Sequence, residues 1–451
     1  MMENLDLILS GGIVVSGEGQ RRADVGIKAG KIQQIAQDLS QYPASERIDI
    51  SGRFLLPGII DVHVHPVYTD DIEYSSYVAA FGGTTTLLHF IYARPGQDLL
   101  PVMEQAIEEA ARTSRLDFGL HCGLFEAPRQ VSQIEGVLKL GVRSFKFFMT
   151  YLKQGWYTDD YQLIKAMDIL AEHGGLPMVH AENGGGIDYL EDKYLTGPNA
   201  SWKNFNISRP AVLEEEAIFR AICLAEVTGC PLYIPHVTAE RALRPIRAAR
   251  ERGQVVYGET CAHYLSLTEK ILEERGALAK VGPPIRTEND RQALWHALGD
   301  STLQVVASDH AAKLKDTQGD FIQQGFGSPQ LETLFPVTYD EGVNQGRISL
   351  QRLVQVMCEN PAKIFGLYPL KGVIRQGSDA DLLVLNPEKT FTIRAENQHS
   401  HVGYTLYEGR TVKGWPEMTF QRGQKVLDHD QVVASPGTGR FLPVSPSGEF
   451  I

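Results

Sequence analysis

The chain has 451 residues, 43% of them hydrophobic and 22% charged, with a formal net charge of -12. That charge, with no Lys/Arg stripe to offset it, argues against nucleic acid or an anionic membrane as partner. The length exceeds what a single core supports, so one large domain with a smaller companion is predicted.

The opening residues, MMENLDLILSGG, carry no basic region ahead of their apolar stretch. No uninterrupted apolar run approaches membrane-spanning length, and a cytoplasmic protein is expected. The five cysteines, Cys122, Cys223, Cys230, Cys261 and Cys358, form no C-x-x-C pair and fit reduced, mostly buried thiols. Residues 5–37 read as short strands joined by glycine turns. From Leu56 to about residue 370, β-rich runs alternate with amphipathic stretches. The runs are IIDVHVH (59–65), GTTTLLHF (83–90), DFGLHCGLF (117–125), SFKFFMT (144–150), PMVHAE (177–182), PLYIPHV (231–237), VVYGETCAHYL (255–265) and VVASDHA (305–311). Helical segments such as 99–114 and 214–229 lie between them, the latter ending on a glycine cap. Eight strands separated by helices predict an α/β fold, a (β/α)8 barrel over 56–369. An open doubly wound sheet is the rival, and polar residues at the strand C-termini favour the barrel. Residues 380–427 again read as strands, and neither chain end could bury much alone. Together, 1–55 and 370–451 are expected to build a small β-sandwich beside the barrel, with the tail from Ala434 as loop or an arm on a neighbouring subunit.

Titratable groups gather at the strand ends: His63 and His65, Lys146, His180, His236 and Asp309. Residues two apart in a strand face the same way, so His63 and His65 can grip one ion. Four imidazoles and a carboxylate exceed the needs of one tetrahedral zinc and suit two ions. Lys146 is out of place beside cations unless burial depresses its pKa and its free amine takes up carbon dioxide, giving an anionic bidentate carbamate. His89, His121 and His263 are expected to be structural or supporting. His310 reads as a neighbour of the site, and Glu182 and Asn183 as orienters of His180.

The segments PGIIDVHVH, AAFGGTTTLLHF, SFKFFMTY, PMVHAENG, YIPHV, VYGETCAHYL, KVGPPIR, VASDH, NPAKIFGLYPLKG and GSDADLLVL resemble, as a set, the cyclic amidohydrolases of the amidohydrolase superfamily. Hydantoinase and dihydropyrimidinase are the most similar, with allantoinase and dihydroorotase as relatives. The resemblance implies a barrel plus sandwich and two zinc ions bridged by an N6-carboxylated lysine. By position, His63, His65 and Asp309 would bind one ion, His180 and His236 the other, and Lys146 both. It further implies a homo-oligomer, dimer or tetramer, and a small cyclic imide or ureide as substrate. Tyr151 resembles the family's substrate-binding tyrosine, and the main chain at Gly282 and Gly325 would hold the imide edge. Asp309 and Tyr151 are the candidate catalytic residues, Asp309 as proton shuttle and Tyr151 as oxyanion donor. The expected reaction opens a hydantoin or dihydropyrimidine to an N-carbamoyl amino acid. Allantoinase, dihydroorotase-like and one-metal deacetylase activities are the alternatives.

Two segments depart from the hydantoinase pattern: Gly282-Pro283-Pro284 stands for Ser-Pro-Pro, and Gln324-Gly325-Phe326-Gly327 for an Asn-Gly loop. Where dihydroorotase-like relatives carry an Arg-rich loop after H-x-H, this chain has PVYTDDIEY (66–74), expected to repel a carboxylate.

Overall fold

The computed structural model describes residues 4–445. Eight parallel strands, Ile59–Val64, Thr84–Ala93, Asp117–Leu124, Ser144–Phe148, Leu176–His180, Leu232–Ile234, Val256–Cys261 and Val305–Ala307, pair in chain order. A parallel bridge between Val64 and His310 joins the last strand's continuation to the first, closing a barrel. His65 N donates to His310 O at 2.9 Å and His310 N to His63 O at 3.2 Å, so the closing bonds lie at the mouth itself. Inward residues including Ile60, Val62, Phe90, Met178, Tyr233 and Val305 fill the barrel, as expected of a packed core and not a pore. Helices on the outside bury one face each. That of Ala211–Thr228 turns Ala217, Ile218, Ala221, Ile222 and Ala225 inward and ends on Gly229 with φ 68°, the left-handed stop that glycine makes cheaply.

Both chain ends build the flanking β structure. A four-stranded sheet takes Leu5–Ser10, Asp24–Lys28, Lys31–Ala36 and Ala44–Asp49. A seven-stranded sheet pairs Phe54–Pro57 with Ile13–Val15 on one side and with Leu382–Thr392 on the other. Leu7, Leu9, Val25, Ile27, Leu55, Leu382, Val384 and Phe420 share one core between these sheets, which is why neither end could fold without the other. The buried Lys371 ammonium joins them to the barrel, pairing with Asp117 of the third strand and with Asp379 at 2.9 Å and Asp381 at 2.6 Å.

One expectation needs correction. The run 255–265 is strand only through Cys261, and Ala262–Ser266 is a helical turn; a continuous apolar run does not separate the two by its period. Over 434–445 the tail is loop, one of its two expected forms, and residues 446–451 lie outside the described ones. Phe118 N donates to Arg440 O at 2.9 Å and Leu442 N to Phe118 O at 2.8 Å, so the tail pairs with the third strand of its own barrel. Leu442 and Val444 then pack beneath the barrel core.

Candidate active site

A cleft of about 300 Å³ opens at the C-terminal mouth of the barrel. His63, His65, Lys146, His180, His236 and Asp309 all line it, with Tyr151, Gly282 and Gly325 on the same walls. His63 and His65 come from the end of the first strand, His180 from that of the fifth and His236 from just past the sixth, and each has a ring nitrogen in a polar contact. Glu259 Oε1 accepts from His63 Nδ1 at 2.6 Å, fixing the tautomer that leaves Nε2 as a bare lone pair. The Tyr92 hydroxyl hydrogen-bonds His65 Nδ1 at 2.9 Å. His180 donates through Nε2 to Glu182 at 2.8 Å, and Arg209 holds the same oxygen at 2.7 Å. His236 turns Nε2 toward Lys146 Nζ at 3.4 Å.

The donor set fits a metal ion. Nε2 of His63 and Nε2 of His65 both lie 3.1 Å from Asp309 Oδ1, and buried His63 Nε2 makes no hydrogen bond. His65 Nε2 hydrogen-bonds that oxygen, whereas the His63 lone pair only faces it, and a cation among the three atoms would take all of them as ligands. Burial pushes His65 down to about 4 and holds His180 and His236 below the usual histidine range, so the rings are neutral at pH 7. Burial also lowers the Lys146 amine to about 8. Its Nζ sits 5.1 Å from the Phe90 ring centre and 5.8 Å from that of Phe148. Asp309 stays ionised, since burial, which would raise it, is outweighed by His63 and His65. Cys261, His263 and Asp309 form a second group with ligand spacing. Burial drives the Cys261 thiol far above its normal range.

Backbone strain concentrates here. Tyr151, His236 and Asp309 have φ of 64°, 43° and 50°, a region that non-glycine residues enter only when the surroundings hold them. The Tyr151 ring lies 5.3 Å from that of His180, and burial raises its hydroxyl so that it remains a proton donor. Gly123 is required by the site indirectly, because a Cβ there would stand 2.2 Å from the Tyr92 ring that braces His65. At Gly282 a Cβ would approach the Phe326 ring at 3.0 Å, and at Gly325 it would meet the Lys313 stem at 2.7 Å.

Other sequence candidates fall elsewhere. His121 spends both nitrogens on Ser144 and the Val62 carbonyl. His89 and His263 are buried, and His263 packs on Tyr264 with ring centres 4.0 Å apart. His310 is turned from the cleft, its Nδ1 accepting from Gln330 N at 3.1 Å. Glu182 does orient His180, but Asn183 caps the helix Gly184–Tyr194 and donates to Glu216. The acidic loop does not face the mouth as expected. Asp70 is buried and accepts from Ser400 Oγ at 2.6 Å and His401 N at 3.1 Å, while Asp71 caps the helix Ile72–Phe81. Neither can repel a substrate carboxylate. Sequence reasoning passed over Tyr92, Arg209, Glu259 and Lys313. Glu259 carried a signal, as a carboxylate inside the predicted seventh strand; it also accepts from Tyr233 Oη at 2.7 Å and His236 N at 3.1 Å.

The neutral histidines tie stability to pH. A histidine whose folded pKa lies below its unfolded 6.5 leaves the unfolded state with more bound protons between the two values, so stability is complete above about 6.5 and falls as pH drops toward 4. His65 alone should cost the metal-free fold on the order of 3 kcal/mol across that window. The midpoint of urea unfolding of metal-stripped protein should fall from pH 7.5 to pH 5; a constant midpoint would contradict the burial of neutral imidazoles.

An eight-stranded α/β barrel flanked by β-sheets, with histidines, a lysine and an aspartate at its mouth, defines a barrel hydrolase. The chain belongs to the amidohydrolase family, whose model matches residues 157–426. It is 38% identical to the D-hydantoinase of Ralstonia pickettii over 97% of this chain and 98% of that protein. It is 33% identical to the L-hydantoinase of Paenarthrobacter aurescens, again over 97% and 98%. The fold superposes with a TM-score of 0.93 on the crystal structure of dihydropyrimidinase from Brevibacillus agri NCHU1002, 35% identical over 97% of this chain and 98% of that one.

Proposed function

We propose that the protein is a zinc-dependent cyclic amidohydrolase that opens a hydantoin or dihydropyrimidine ring to an N-carbamoyl amino acid. The observation that carries this reading is the convergence of His63, His65 and Asp309 on one point, with His180, His236 and Lys146 beside it, in a chain of this family. His63, His65 and Asp309 would hold one zinc, His180 Nδ1 and His236 the other, and Lys146, carboxylated at Nζ, both. Bound there, the two ions would polarise the ring carbonyl and make hydroxide available at neutral pH. Asp309 takes the proton of the attacking oxygen and returns it to the leaving ring nitrogen. The Tyr151 hydroxyl donates to the oxyanion formed from the carbonyl. Main chain at Gly282 and Gly325 faces the imide edge, where neither residue has a side chain to interfere.

A panel of hydantoin, 5-substituted hydantoins of both hands, dihydrouracil, allantoin and dihydroorotate tests the reading. A hydantoin or dihydrouracil should give the highest kcat/KM with zinc-loaded enzyme. Preference for allantoin or dihydroorotate would reassign the substrate, and no ring opening at all would remove the proposal. In the same assay Tyr151→Phe should lose roughly 3 kcal/mol of transition-state stabilisation, the scale of one oxyanion donor; full activity would show that Tyr151 makes no such bond.

A further inference from the structure

Three lysines gather on the segments that frame the cleft: Lys280, Lys313 and Lys315. Two have spent their donors on the chain. Lys280 Nζ donates to the carbonyls of Phe321, Ile322 and Gln324 at 3.0, 2.8 and 2.7 Å. Lys315 Nζ donates to those of Leu278 and Lys280 at 3.0 and 2.9 Å. Lys313 is different. It lines the cleft, and its ammonium lies 4.1 Å from the centre of the Tyr68 ring. Among the described residues it forms neither an ion pair nor a side-chain hydrogen bond. Its position is built: the Tyr404 hydroxyl donates to its carbonyl at 3.2 Å, and Gly325 leaves the space its stem occupies, where a Cβ would come within 2.7 Å. Burial, against the pull of the Asp309 carboxylate, brings it down to about 8, so it is mostly charged at pH 7. With Asp70 and Asp71 turned away, no loop carboxylate neutralises this edge of the mouth.

We propose that Lys313 is a specificity-determining residue that selects a hydantoin whose 5-substituent ends in a carboxylate. The inference rests on the cyclic-ureide reading above and extends it to the side chain. A carboxylate accepting from Lys313 Nζ forms a charge-assisted bond in a partly desolvated site, while Tyr68 continues to hold the cation from its ring side. A neutral amide of the same shape offers only a weaker acceptor.

The test uses a matched pair, the 5-(2-carboxyethyl) hydantoin and its carboxamide, each racemic, with zinc-loaded full-length enzyme. The parent should favour the acid, and Lys313→Met should lower the ratio of kcat/KM for acid over amide by roughly tenfold or more. Lys313→Arg, which keeps the charge, should retain most of the preference. An unchanged ratio in Lys313→Met, or a parent that prefers the amide, would overturn the assignment. Should neither ring be opened, the cyclic-ureide reading fails separately. Calorimetric binding of the same two compounds then decides the role of Lys313: tighter binding of the acid, lost in Lys313→Met, supports it, and equal binding refutes it.

Discussion

Lys146→Ala is expected to abolish activity and strip metal from the protein. The side chain is 1% exposed, ends 3.4 Å from His236 Nε2, and stands between the two halves of the ligand set. As the proposed bridge it belongs to both ions, so its loss should weaken metal binding by more than the roughly 10- to 100-fold that follows loss of an outer partner. A short carboxylic acid such as propionate should partly restore metal and turnover by occupying the space of the missing carbamate. Circular dichroism should show a folded barrel, because the truncation leaves a cavity and no unpaired charge. Full metal content and activity in Lys146→Ala would show that the lysine bridges nothing.

The second large effect is expected of Asp309→Asn. The carboxylate sits at the junction of His63 and His65, held ionised against its burial by both rings. An amide keeps the shape and loses the basicity. Turnover should fall by roughly a hundred- to ten-thousand-fold, the usual contribution of a positioned acid–base group. KM should change little if the loss is confined to the transition state. Metal content measured on the same sample separates a lost ligand from a lost base: near-normal turnover with metal retained would move the proton transfer to another group.

The fold was largely readable because its signals are local. Strand periods, helix lengths and the glycine stop at Gly229 are properties of neighbouring residues, and eight such units in series leave few architectures. The companionship of the two chain ends was readable for a different reason, since each alone lacks a core. At the site, the sharing of one mouth by His63, His65, Lys146, His180, His236 and Asp309 follows from their place at strand ends. What was not readable is direction. The sequence of the loop suggests a negative field from Asp70 and Asp71 over the mouth, yet one is buried against Ser400 and His401 and the other caps a helix. Composition gives the charge of a loop and not where its oxygens point. Glu259, Tyr92 and Arg209 act through partners brought by other strands and loops, so no spacing within the sequence marks them. Lys313 looks like any loop lysine until Lys280 and Lys315 are seen to have used their donors.

Titration of metal-stripped protein with zinc, reading hydantoin or dihydrouracil opening at each addition, tests the proposed two-ion centre most directly. Activity should rise until two equivalents per chain are bound and then level, with the N-carbamoyl acid as the product detected by mass. Saturation at one equivalent, or ring opening by protein free of metal, would contradict it.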